Sequence, residues 1–210
     1  MRLLLASTNR GKIEEIQKLL HSCQPDLEVL GLDRFPELQA IPETGRTFAE
    51  NALLKAATAA ERTGLVSLAD DSGLEVDALD GAPGVHSARY SGPEATDRAN
   101  NDKLLHALRD VPAEKRTARF RCVLAARTPG GESLLADGSW EGFIAEEPRG
   151  EHGFGYDPLF IDLENGLTAA EMDQPVKNAR SHRGRALQDF LNKWPAFLAR
   201  IEPELSAASR

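Results

Sequence analysis

The chain has 210 residues, 41% of them hydrophobic and 28% charged, with a formal net charge of −8. Such proportions suit one soluble globular domain, with enough core to fold without disulfides or a structural metal. The acidic balance argues against a polynucleotide partner, whose phosphates call for a basic face; a small polyphosphate remains possible if local cations and a metal offset the repulsion.

In chain order, Arg2 to Ala6 reads as a short buried strand closed by polar residues. Ser7-Thr8-Asn9-Arg10-Gly11-Lys12 forms a polar turn, followed by a helix with Ile13, Ile16, Leu19 and Leu20 on one face. Pro25 follows that helix, and a second strand covers Glu28 to Gly31. This strand–helix–strand opening is the usual start of an α/β fold. Pro36 and Pro42 mark a loop up to Gly45. Thr47 and Glu50 then match a capping box for an alanine-rich helix that runs to about Arg62 and stops before Gly64. Leu65 to Ala69 is expected to be a buried strand ending in Asp70-Asp71-Ser72-Gly73, with a short strand from Leu74 to Leu79. An irregular Gly/Pro-rich loop follows, from Asp80 to Pro93.

Thr96 to Leu108 reads as a helix with Leu104, Leu105 and Leu108 inward. Strands over Arg116–Arg127 and Ser133–Ile144, joined at Pro129-Gly130-Gly131, should pair as an antiparallel hairpin. The glycine-rich segment Gly153 to Pro158 leads into Leu159-Phe160-Ile161. Ser181 can cap a last helix whose stripe is Leu187, Phe190, Leu191, Trp194, Leu198 and Ile201, kinked or divided at Pro195. The fold class expected is α/β: a mixed sheet with flanking helices, in two lobes around a central cleft, with residues 1–210 as a single domain. Cys23 and Cys122 read as reduced, buried thiols. The first apolar run is too short for a signal sequence or a membrane span, so no membrane partner and a cytoplasmic location are expected.

Four segments carry chemistry. In the Ser7–Lys12 turn, free backbone N–H groups, the helix dipole and Lys12 make a phosphate site, although no P-loop pattern is present; Ser7 or Asn9 could instead simply cap the helix. Asp70 and Asp71 at a strand end suit a hard divalent cation, or else a plain turn. Asn51 and Lys55 lie four apart and share a helix face, so Lys55 can meet phosphate while Glu43 meets metal. Lastly, Gly153 to Asp157 joins Lys177, Ser181, His182 and Arg183. Phe154 or Tyr156 could stack on a base, Gly155 lets backbone approach it, and Asp157 could accept from a ring N–H. His182 and Arg183 sit in a first helical turn, where the dipole disfavours cations.

Taken together, these segments resemble the inosine triphosphate pyrophosphatase family. The resemblance runs over nearly the whole chain, through Ser7–Lys12, Glu43 to Ala52, Ala69 to Leu74, Gly81 to Tyr90, Gly153 to Pro158 and Ser181 to Gly184. It implies hydrolysis of ITP, dITP and XTP to the monophosphate and pyrophosphate, with Mg2+, in a homodimer. It also implies roles: Ser7, Thr8, Asn9, Arg10, Gly11 and Lys12 as the triphosphate cradle, Asp71 as general base and metal ligand, and Ser72 as a substrate contact. Phe154, Gly155, Tyr156, Asp157, Lys177, His182 and Arg183 become the nucleoside pocket. The family often carries two glutamates before Thr44-Gly45; here the first position is Pro42, leaving Glu43 as the second metal ligand. A nucleotide sensor without hydrolysis and a pyrophosphatase for modified pyrimidines are the rival functions.

Overall fold

The computed structural model describes residues 2–7, 10–23, 27–38 and 41–208. Its strands form a six-stranded sheet in the order β2-β1-β3-β4-β5-β6. The chain divides into two compact units, one of Met1–Asp71, Val123–Gly138 and Arg183–Arg210, the other of Ser72–Cys122 and Ser139–His182.

In the first unit, β1 (Arg2–Leu5) pairs in parallel with β2 (Glu28–Gly31) and with the start of β3 (Val66–Val76). Parallel strands need long crossovers, here α1 (Arg10–Cys23) and α2 (Phe48–Thr63). Strands of parallel sheets read as continuous apolar runs, and Leu3, Leu4 and Leu5 are fully buried. The capping box is present: Thr47 Oγ1 accepts from the Glu50 N–H, and the Glu50 carboxylate accepts from the Thr47 N–H. The helix ends as expected, at a left-handed Gly64. The long α5 (His182–Ala208) contains Pro195 and Pro203 and is not divided at Pro195. A helix-interior proline costs about 3 kcal/mol; burial of Leu187, Phe190, Trp194, Phe197 and Ile201 along one stripe offsets it. Phe197, not Leu198, is the buried member of its turn.

The second unit contains the end of β3, α3 (Asp97–Ala107), most of β4 (Thr117–Arg127), the end of β5 (Ser133–Ile144), β6 (Phe160–Asp162) and α4 (Gln174–Arg180). β4 and β5 are sheet neighbours joined by a short turn, which forces them antiparallel. β5 and β6 are antiparallel too, with Phe143 opposite Ile161. Phe120, Trp140 and Phe160 form the aromatic centre of this unit's core, with Phe160 centroids 4.6 Å from Phe120 and 4.9 Å from Trp140. The Trp140 indole N–H donates to Asp162, 2.7 Å away, so even this buried ring has its polar group paired.

Two expectations fail here. Asp70-Asp71-Ser72-Gly73 does not end the strand: β3 runs unbroken for 11 residues through it. Gly73 serves close approach instead, since a Cβ there would meet Ser87 Oγ and Gly84 O. The expected strand from Leu74 is the end of β3, followed by a 3-10 turn at Asp77–Leu79. The short α4 was not expected; Pro175 at its start fits a first helical turn.

Candidate active site

The first cluster belongs to the first unit and is built from α2, β3 and the loop before α2. Asn51 and Lys55 do share a helix face, and both reach Asp71. The Asn51 Nδ2 donates to Asp71 Oδ2 at 3.1 Å, while Asn51 Oδ1 accepts from the Gly45 N–H at 2.7 Å. The loop and the strand are thus tied to the same amide. Lys55 Nζ donates to Glu43 Oε1 at 2.7 Å and lies 3.5 Å from Asp71 Oδ1. One ammonium therefore brings Glu43 and Asp71, 28 positions apart in the chain, to a common point. Burial alone would push the Lys55 ammonium down; the charges of Asp70, Asp71 and Glu43 outweigh it and hold it above its ordinary value. Asp70 and Asp71 are both buried.

Among the described residues no group of three histidine, cysteine or carboxylate side chains closes into a metal cage. The donor set nevertheless fits a hard cation. Carboxylate oxygens are its preferred ligands, and Mg2+ is commonly held by one or two carboxylates, substrate phosphates and retained waters. Glu43 and Asp71 supply such oxygens beside the Lys55 ammonium.

The second cluster lies in the second unit, on the loop from Gly153 to Asp157. Asp157 accepts from the Phe154 N–H at 2.8 Å and from Lys177 Nζ at 2.7 Å, and both side chains of this ion pair are about 95% buried. The Lys177 ammonium stands 5.5 Å from the centroid of the half-buried Phe154 ring, within cation–π range. Gly155 has a left-handed backbone, φ 61°, which suits a residue without Cβ. Its N–H donates to Asp97 and its C=O accepts from Asn101.

Tyr156 is a core residue. Its ring joins the apolar cluster and its hydroxyl donates to Ser87 O at 2.8 Å. Burial above all, then the negative field of Tyr90 and Asp97, pushes that hydroxyl far above its ordinary range. Of the two aromatics proposed for stacking, only Phe154 keeps partial exposure. His182 is buried with its ring stacked on Phe120, centroids 4.7 Å apart. It and the buried Arg183 open α5, as expected. Ser72 is half-buried on β3.

The Ser7–Lys12 segment is placed in part. Ser7 follows β1, and Arg10, Gly11 and Lys12 are the first turn of α1 rather than part of a turn before it. Thr8 and Asn9 lie outside the described residues, as do the side chains of Arg10 and Lys12. Sequence reasoning passed over Asp97, Asn100 and Asn101. The signal was available: two adjacent asparagines inside a helix are poor helix formers, and here both are buried.

The chain is similar to known proteins over most of its length. A dITP/XTP pyrophosphatase of Nitratidesulfovibrio vulgaris is 56% identical over 93% of this chain and 96% of its own. Another dITP/XTP pyrophosphatase, from Geobacter sulfurreducens, is 54% identical over 89% of this chain and 92% of its own. The solved structure of a HAM1 protein from Coxiella burnetii superposes with a TM-score of 0.85 at 44% identity, covering 93% of this chain and 99% of that one. The model of the Ham1 family matches residues 3–193, a span that takes in both clusters, and the chain belongs to that family.

Proposed function

We propose that the protein hydrolyses deaminated purine nucleoside triphosphates, ITP, dITP and XTP, to the monophosphate and pyrophosphate. The observation that carries this is the Lys55 ammonium held between Glu43 and Asp71, with Asn51 fixing the second Asp71 oxygen. The names of the close relatives support the substrate class.

Asp71 takes the proton of the attacking water, and the Asn51 amide keeps its carboxylate oriented for that transfer. Lys55 neutralises charge on the polyphosphate, a task shared with Lys12 in the Ser7–Lys12 cradle. Glu43 and Asp71 would hold Mg2+, which supplies charge neutralisation on the departing pyrophosphate. Ser72 contacts substrate. Phe154 stacks on the base, and Gly155, Tyr156, Asp157, Lys177, His182 and Arg183 shape the nucleoside pocket. Hypoxanthine and xanthine offer an O6 acceptor and an N1–H donor, where adenine offers the reverse, so a pocket matched to the first pattern strands buried polar groups against the second. A homodimer, a cytoplasmic location and residues 1–210 as one functional domain complete the proposal on the strength of the family resemblance.

The test is a product analysis with ITP, dITP, XTP, ATP, GTP and TTP plus Mg2+. Pyrophosphate and IMP from ITP, with little from ATP, is the expected result. Orthophosphate and a diphosphate would mean that the wrong bond is cut, and equal rates on ATP would remove the substrate assignment.

A further inference from the structure

Helix α3 buries two asparagines on successive positions, and their amides are spent on two different loops. Asn100 Oδ1 accepts from the Ser91 N–H, and its Nδ2 donates to the carbonyls of Ser87 and Ala88. One residue on, Asn101 Nδ2 donates to Gly155 O at 2.9 Å. Asp97, one helical turn earlier on the same face, accepts from the Gly155 N–H at 2.7 Å. A single left-handed glycine is thus gripped at both its N–H and its C=O by two side chains of one rigid helix. Its neighbours are fixed as well, Phe154 through its N–H on Asp157 and Tyr156 through its hydroxyl on Ser87 O. The Phe154 ring carried by this loop is half-buried, with the Lys177 ammonium 5.5 Å from its centroid.

The geometry points to Asp97 and Asn101 as positioning residues that set the Phe154 ring for base stacking and so contribute to discrimination between purines. This rests on the function proposed above. Neither side chain needs to touch substrate; each acts through the Gly155 backbone. An asparagine in a helix interior is intrinsically unfavourable, and the loop it holds is what that cost secures.

Two variants separate positioning from mere support. Asn101→Asp keeps size but cannot donate to Gly155 O. Asp97→Ala removes the acceptor, while Asp97→Asn retains an oxygen that can accept. The expected result for Asn101→Asp and Asp97→Ala is a KM for ITP raised about tenfold, with a smaller change in kcat and a narrowed ratio of ITP to ATP turnover. Asp97→Asn restores most of the loss. Amide exchange at Gly155 quickens in the first two variants and not in the third. An unchanged KM and ITP/ATP ratio, or a parallel loss of kcat on every nucleotide tracking a fall in Tm, overturns the assignment. If the wild-type protein does not hydrolyse ITP, the proposed function fails, and Gly155 exchange still decides the clamp: unchanged exchange in both disruptive variants refutes it.

Discussion

Lys177–Asp157 and Lys55–Asp71 are both lysine–aspartate pairs, and their surroundings differ. Lys177 is matched by Asp157, and the pair is spent on architecture: the same carboxylate holds the Phe154 N–H, and the same ammonium stands over the Phe154 ring. Lys55 stands among three carboxylates, Glu43, Asp70 and Asp71. A buried one-to-one pair gives a fixed scaffold; several carboxylates around one ammonium give oxygens for a cation and a proton acceptor. Had only one of these clusters been present, the chain could be read as a nucleotide-binding module. The proposed hydrolysis with base selection draws on both, an acidic centre with an oriented carboxylate and an aromatic loop.

Substitutions at the two lysines and their partners can break this contrast. The largest effect is expected at Asp71→Asn, which keeps shape and loses the proposed base: kcat falls about a thousandfold while nucleotide binding, read by calorimetry, persists. In the matched pair, Lys177→Met leaves a buried carboxylate without its ammonium and should cost about 3–5 kcal/mol of stability, seen as a lowered midpoint in denaturant. Equal destabilisation by Lys55→Met would erase the distinction between the clusters.

Instead, Lys55→Met should lower kcat about a hundredfold and tighten binding of Mn2+, measured directly, because the carboxylates lose their internal cation. Its raised pKa makes the ammonium's contribution to stability complete below the ordinary value of 10.5, and lost only as pH rises through the higher folded value. The stability difference between wild type and Lys55→Met should therefore stay flat from neutral pH to about 10.5 and shrink above it.

The smallest effect marks a control on the surface. Asp77, hydrogen-bonded first by Arg119 and then by Thr117, has its carboxyl held below the ordinary 3.8. A group shifted in that direction stabilises above its unfolded pKa and loses the contribution as pH falls through the folded value. Because the pair is largely solvent-exposed, Asp77→Asn should cost no more than about 1 kcal/mol at pH 7, and the difference should vanish in acid.

Much of the architecture could be read from local chemistry. The capping box, the Gly64 stop and the β4–β5 hairpin needed only nearby residues, and each formed where expected. The helical spacing of Asn51 and Lys55 also located one face of the acidic cluster. Long-range packing governed what was misread. Asp70 to Gly73 has the composition of a turn, but sheet pairing and the close approach of Ser87 keep it extended. Tyr156 looked available for stacking, but its ring belongs to the apolar core and its hydroxyl to Ser87 O. The clamp on Gly155 spans more than fifty positions of sequence, and no local pattern announces it.

The most direct measurement is hydrolysis of ITP by the wild type and by Asp71→Asn in water enriched in oxygen-18, with products resolved by mass. Attack assisted by Asp71 at the innermost phosphorus predicts label in IMP, unlabelled pyrophosphate, and almost no product from the variant. Label in the pyrophosphate, or near-normal turnover by Asp71→Asn, would contradict the account.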